Sequence, residues 1–448
     1  TPSDHMGHNV LQTTITLTEL QRVAAIARSG EPGGDTIPIL LDALSGAVQD
    51  VAGNLNVPQS AITVHESPDT IIPIISNGTL NYSSGYLWLR TSEIMDYTPG
   101  SEVILPKILI VNNTGDAELA LTGATVTESD DYLLTVKLTE NQRARSVEKS
   151  GTPGGDGHPV VVDIRTGAMH DVGLLTHEDT NSIQITEIED TQRPTPISGH
   201  IQYETGILTI TADESIDVNQ TSPLMGSLTT SGIYLLDVSD QASTGFSLAG
   251  VNTAGRQTPE VFLYLTELQR VEGIKISGIQ GGNGGAAVMN ILDSVMSDLS
   301  GNPSLLATNI TLTESPDLRR PNILTATLDL NNGTLVITAD ETLRVASPYM
   351  GTTLINTSQI VAFNNSGDSG GVYLKNAIAT HDESDTITIL LHESERAQII
   401  PFSGQAGGIY DPNIFTDANG ETYGGDGVAM LMRFGLGALF DMGINGNA

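Results

Sequence analysis

The chain has 448 residues, 53 acidic side chains against 19 Lys plus Arg, a formal net charge of −34 and no cysteine. That balance excludes a nucleic-acid binder, which needs clustered cations. The missing thiols exclude cysteine catalysis, disulfide frameworks and thiolate-held zinc. The longest apolar run, 428–440, is short and carries Arg433, so it cannot cross a bilayer.

A Leu-Thr-Glu phrase begins at Leu17, Leu138 and Leu265 and, altered, at Leu391, at intervals of 121, 127 and 126 residues. Gly85, Gly206 and Gly333 keep the same beat. Two motifs with one period indicate tandem duplication, and a period above 120 residues makes each copy a domain rather than a solenoid turn. The expected units are a half-repeat at 1–72 and repeats at 73–193, 194–320 and 321–448, with Pro73, Pro194 and Pro321 stiffening the junctions.

Within one repeat, Ser198–Tyr203 and Ile207–Ala212 alternate apolar and polar residues around Glu-Thr-Gly and predict a hairpin. Ile233–Val238, Gly245–Leu248 and Val261–Thr266 follow as short strands. Ala287–Val295 reads as strand or short helix, and Asn309–Thr313 closes the unit. About seven short strands predict an all-β fold of antiparallel Ig-like sandwiches. The Leu-Thr-Glu segment is read as scaffold: Val261, Leu263 and Leu265 face one side, Leu268 and Val271 continue that set, and Glu267 pairs with Arg270 on the surface for about 0–1 kcal/mol.

The phrase Asp50-Val-Ala-Gly-Asn54 returns as Asp298-Leu-Ser-Gly-Asn302 and, degraded, at Asp171 and Asp441. Asp accepts from backbone N–H groups in such turns, and Gly tolerates positive φ. With its flanking strands, this phrase resembles the bacterial Ig-like and cadherin-like tandem repeats of secreted adhesins and surface filaments, over almost the whole chain. The resemblance implies an extracellular or cell-surface location.

The ends fall out of phase with the repeat. The first 72 residues hold only the second half of a unit, and the last repeat lacks the counterpart of Asn309–Thr313 while gaining an insertion near 409–423. A sandwich missing a strand exposes a groove and two edges, which another copy can fill by strand donation. Head-to-tail contacts of that kind build filaments. Asn9–Glu19 is similar to Asn309–Glu314, so Val10, Leu11, Ile15 and Leu17 are the expected donated positions, and Met430, Met432, Phe434, Leu436 and Leu439 the receiving groove.

Chemical motifs are sparse. Gly367-Asp-Ser-Gly-Gly371 matches a serine-protease phrase, but its sister loop at Asn112–Asp116 continues with Ala117, and no histidine stands in that family's context. Asp329–Gly333 has calcium-loop spacing but aligns with a hairpin turn. Asp417, Asn419 and Glu421, inside the insertion, are the candidate Ca²⁺ ligands. Asn77, Asn81, Asn112, Asn219, Asn309, Asn332, Asn356 and Asn364 carry the N-glycosylation signal. The expected function is a non-enzymatic structural subunit of a surface filament with copies of itself as partners, without other cofactors. The alternative is a calcium- or glycan-binding adhesin.

Overall fold

A computed structural model describes residues 12–112, 117–218, 228–238, 245–254, 258–345, 354–364, 370–379, 383–403 and 430–447. The chain forms two compact units. One comprises Thr1–Pro194 with Glu214–Asp217 and Ser297–Asn302; the other comprises Thr195–Asp213, Val218–Met296 and Pro303–Ala448.

The first unit opens with helix α1 (Glu19–Ile26) and strands β1 (Leu40–Ala43) and β2 (Gln59–Thr63), which pair antiparallel. Leu40 and Leu41 stay exposed, and α1 buries none of its residues. A full repeat follows: β3 (Ile75–Asn81), β4 (Tyr86–Met95), β5 (Ile108–Asn112), β6 (Leu119–Ala120), β7 (Thr125–Val126), β8 (Asp131–Lys137), α2 (Glu140–Glu148), β9 (Val160–Ile164) and β10 (Thr180–Ile188). Its strands run in the order β6-β5-β9-β10-β3-β4-β8-β7. Strand β10 belongs to both faces. Its first half pairs antiparallel with β9, and its last four residues pair parallel with β3, Ile185 opposite Gly78. The two layers enclose one core in which Leu80, Leu87, Leu89 and Val136 face Ile108, Ile110, Val162 and Ile164. Alternating apolar residues in β4 and β8 give each strand one buried face.

The second unit repeats the plan. It contains β11 (Pro196–Gln202), β12 (Ile207–Ile216, whose end from Glu214 onward belongs to the first unit), β13 (Ile233–Asp237), β14 (Phe246–Ser247), β15 (Asn252–Ala254), β16 (Thr258–Tyr264), α3 (Glu267–Lys275), β17 (Ala287–Ile291) and β18 (Ala307–Ser315). Strand β18 again pairs antiparallel with β17 and parallel with β11. Then come β19 (Ile323–Asp329), β20 (Thr334–Leu343), β21 (Ile360–Asn364), β22 (Val372–Tyr373), β23 (Ile378–Ala379), β24 (Ser384–Leu390), α4 (Glu393–Ile399) and β25 (Met430–Phe434).

The fold is all-β sandwich, with two differences from the sequence expectation. The sheets are mixed, because the closing strand lies parallel to the first strand of its own repeat. The segment after Leu-Thr is helix, not strand. In α3, Thr266 is the N-cap: its Oγ1 accepts from Gln269 N–H at 3.3 Å while Gln269 Oε1 accepts from Thr266 N–H at 3.0 Å. That reciprocal pair satisfies two otherwise orphaned donors and starts the helix. Leu268 consequently points outward, 71% exposed, while Val271 is buried.

Candidate functional site

Two arrangements stand out: an open strand slot in the last repeat, and three clusters of buried carboxylates around arginines.

The slot follows from the sheet order. Among the described residues the last repeat has separate layers, β19-β20-β24-β23 and β22-β21-β25, with no strand between β19 and β25. In the sister repeats that place holds β10 or β18. Burial registers the difference. Ala287, Val288, Met289 and Ile291 of β17 are buried, whereas Met430, Met432 and Phe434 are half-buried and Leu431 is exposed. Gly78 and Gly199 are buried, whereas Ala326, one period of 127 after Gly199, is exposed. A cavity of about 400 Å³ lies there, lined by Pro321, Asn322, Ile323, Phe363, Met432 and Phe434 among others. Glycine at 199 has a reason: a Cβ would meet Leu312 Cδ2 of the closing strand at 2.5 Å.

Of the expected groove residues, Met430, Met432 and Phe434 border the slot, Leu439 is fully buried in the core, and Leu436 is 72% exposed. Of the expected donor residues, Val10 and Leu11 lie outside the described residues. Ile15 and Leu17 are exposed and outside any strand, 72% and 50% accessible. Thr18 caps α1, so the extended stretch ends at Leu17. By the 121-residue offset, positions 10–16 also stand where β8 stands in the next repeat.

Each arginine cluster grows from the same helix start. The capping box places Glu140 and Arg143 on consecutive turns, and Arg143 Nε and Nη2 each donate to Glu140 at 2.7 Å. Arg143 Nη1 donates to Asp190 at 2.5 Å and to the Tyr82 carbonyl at 3.1 Å, and Nη2 donates to Glu214 at 3.0 Å. All five guanidinium donors are thereby used. Arg270 repeats the set with Glu267, Asp317, Glu341 and the Tyr203 carbonyl. Arg22 does so with Glu19, Asp69 and Glu93. The partners stand 47 and 71 residues beyond each arginine. At 75 residues beyond the leading glutamate, a backbone N–H donates back to it, from Ile94, Ser215 or Thr342. The Glu–Arg pair read as a surface contact is therefore mostly interior: Arg143 and Arg270 side chains are 7% exposed.

A third acid completes each cluster, giving Asp69, Glu93 and Asp171; Asp190, Glu214 and Asp298; and Asp317, Glu341 and Asp441. Within each group three carboxylate oxygens lie within 4.8 Å of one another. The third acid comes from the Asp-x-x-Gly-Asn turn. Asp298 accepts from Asn302 N–H and Nδ2 at 2.8 Å, and Asp441 accepts from Asn445 in the same way. At Asp171 the partner is Leu175, which offers only its N–H, so Asp171 Oδ2 has no hydrogen-bond partner. Glu93 Oε1 and Glu341 Oε1 have none either.

The electrostatics follow from four carboxylates facing one guanidinium. Burial, then the neighbouring Asp441 and Asp317, push Glu341 up to about 8. Burial likewise pushes Asp298 and Asp441 up to about 6. Glu140 and Glu267 feel burial most strongly, yet their arginine hydrogen bonds outweigh it and hold them below the usual range. Sequence reasoning missed these clusters. Their trace was acidic residues recurring at the repeat's own interval.

Asp417, Asn419, Glu421, Asn219 and Ser369 lie outside the described residues. Asp329–Gly333 forms the β19–β20 hairpin turn, with Asn331 N–H donating to Asp329 at 2.8 Å. Asn77, Asn309, Asn332 and Asn356 are exposed, Asn81 is half-buried and Asn364 ends β21. Asn112 is 7% exposed and donates to Asp156 and the Lys149 carbonyl.

No family model matches the chain, and no curated protein matches it. Among solved structures it is similar to an Escherichia coli alpha-2-macroglobulin fragment spanning domains MG0-NIE-MG1, at 14% identity over 72% of this chain and 97% of that one, TM-score 0.24. It is also similar to a marsupial T cell receptor, at 12% identity over 72% and 93%, TM-score 0.14. A third is the surface layer protein SbsC, domains 1–6, at 10% identity over 72% and 51%, TM-score 0.14. Scores this low carry no argument, and the sandwich assignment stands on the strands and cores described above. No described helix is long and apolar enough to cross a membrane.

Proposed function

We propose that the protein is a non-enzymatic structural component of an extracellular surface assembly, built from sandwich repeats that interlock by β-strand donation between copies. The observation that carries this reading is the slot between β19 and β25, with partly uncovered apolar residues on both banks. Its occupant in this reading is the N-terminal stretch of a second copy. Ile15–Glu19 is identical in sequence to Ile310–Glu314, part of the strand that fills the same place one repeat earlier.

The sister repeat sets the register. Ile310 lies opposite Met289 and Leu312 opposite Gly199. Carried to the last repeat, Ile15 faces Met432 and Leu17 faces Ala326. Donation past Leu17 would dismantle the α1 cap and the Arg22 contacts, so Leu17 is the last donated residue. Head-to-tail contacts of this kind propagate into filaments unless a ring closes.

The absence of cysteine makes the test clean. Ile15→Cys with Met432→Cys should give an oxidation-dependent ladder of covalent oligomers on a non-reducing gel, whereas Ile15→Cys with the out-of-register Arg433→Cys should not. A chain lacking residues 1–17 should remain a soluble single species by light scattering. Fibres from that truncation, or an equal ladder from both pairs, would remove strand donation from the model.

A further inference from the structure

In the first and third clusters the arginine already bonds three carboxylates, and buried carboxylate oxygens remain. Glu93 Oε1 and Asp171 Oδ2 in the first cluster and Glu341 Oε1 in the third have no hydrogen-bond partner, on residues 6%, 0% and 6% exposed. A buried acceptor without a donor is costly and uncommon, and three at repeating positions call for a common partner. Arg270 cannot supply it, because its five N–H groups already bond Glu267, Asp317, Glu341 and the Tyr203 carbonyl.

The donor set defines the chemistry of that partner. Oxygen is the only ligand atom, with neither imidazole nor thiolate among the cluster members. That selects a hard cation. A cage of protein carboxylates suits calcium, which takes its ligands from such oxygens, rather than magnesium, which keeps several of its own waters. We propose that the first and third carboxylate clusters each bind one calcium-type divalent cation, held beside the arginine by Asp69, Glu93 and Asp171 in one and by Asp317, Glu341 and Asp441 in the other.

The ion takes the oxygens the guanidinium leaves, so both cations share the carboxylates rather than compete for them. Each site joins the Asp that follows one repeat's closing strand to two acids of the next repeat. The first cluster, with two unpartnered oxygens, binds more tightly. This inference is independent of strand donation.

The test is calorimetric titration of CaCl₂ into chelator-treated full-length protein at about 0.15 M salt, where exposed carboxylates are screened. The expected result is two saturable sites with dissociation constants of about 0.1–1 mM, the range of extracellular calcium modules, and a melting temperature that rises with calcium. Glu341→Gln and Glu93→Gln, which keep an acceptor for their arginines, should each remove one site. Should either variant fail to fold by circular dichroism, Asp441→Asn or Asp171→Asn replaces it. No saturable heat by about 5 mM calcium overturns the proposal. So does undiminished stoichiometry in both folded variants, which would assign the binding to the acidic surface.

Discussion

Replacing Arg270 with Ala tests whether the buried clusters govern stability. The change removes the guanidinium that bonds Glu267, Asp317 and Glu341 and lies beside Asp441, of which Asp317, Glu341 and Asp441 are nearly inaccessible. Breaking a buried pair from one side costs about 3–5 kcal/mol, because the remaining charge is neither solvated nor paired. For a domain of this size that corresponds to a loss of about 10 °C or more in melting temperature. The built-in comparison is Arg396→Ala. That arginine occupies the same helix position but, among the described residues, holds only Glu393 and the Leu330 carbonyl at a more exposed site, so its loss should leave melting close to wild type. Differential scanning calorimetry in chelator at neutral pH, resolving the transitions of the multidomain chain, makes the measurement. The deficit of Arg270→Ala should shrink in acid, where protonated carboxylates no longer need the cation. If Arg270→Ala costs no more than Arg396→Ala, the clusters are not the stabilising joints inferred from their geometry.

Two further predictions follow from single groups. Because Glu341 is held up to about 8 against an ordinary 4.5, the folded state keeps a proton that the unfolded chain has lost between those values. Stability in chelator should therefore fall as pH rises through that window, and Glu341→Gln should flatten the fall when melting is followed against pH. Gly199→Ala should cost about 1–3 kcal/mol in urea unfolding, since the added Cβ meets Leu312 Cδ2 at 2.5 Å and Met289 Cε at 3.1 Å. A Gly199→Ala protein as stable as the parent would mean that the closing strand does not pack there.

Much of the sandwich was legible because strand signals are local. Ile207–Ala212 alternates cleanly and became part of β12, and Asn309–Thr313 became the middle of β18. The helix at Glu267 was lost because Val261–Leu265 supplies a strand pattern that runs straight into it. The Thr266–Gln269 spacing, a capping box, was the signal that distinguishes them. The clusters were hidden for another reason: their members lie 47 and 71 residues apart, and no local pattern reports such meetings. Only aligning charged positions across repeats shows Asp69, Asp190 and Asp317 moving in step with Glu93, Glu214 and Glu341. The parallel seating of β10 against β3 is likewise a choice between two edges that alternation leaves undecided.

That seating decides how a repeat bears tension. A pull on the chain enters at β3 and leaves at β10, and these two are hydrogen-bonded neighbours running the same way, with Ile185, Thr186, Glu187 and Ile188 beside Gly78, Thr79, Leu80 and Asn81. Stretching drags one past the other in shear, so the cross-links between them must yield together instead of peeling one by one. A tether of such repeats holds its length under load until a whole clamp gives way.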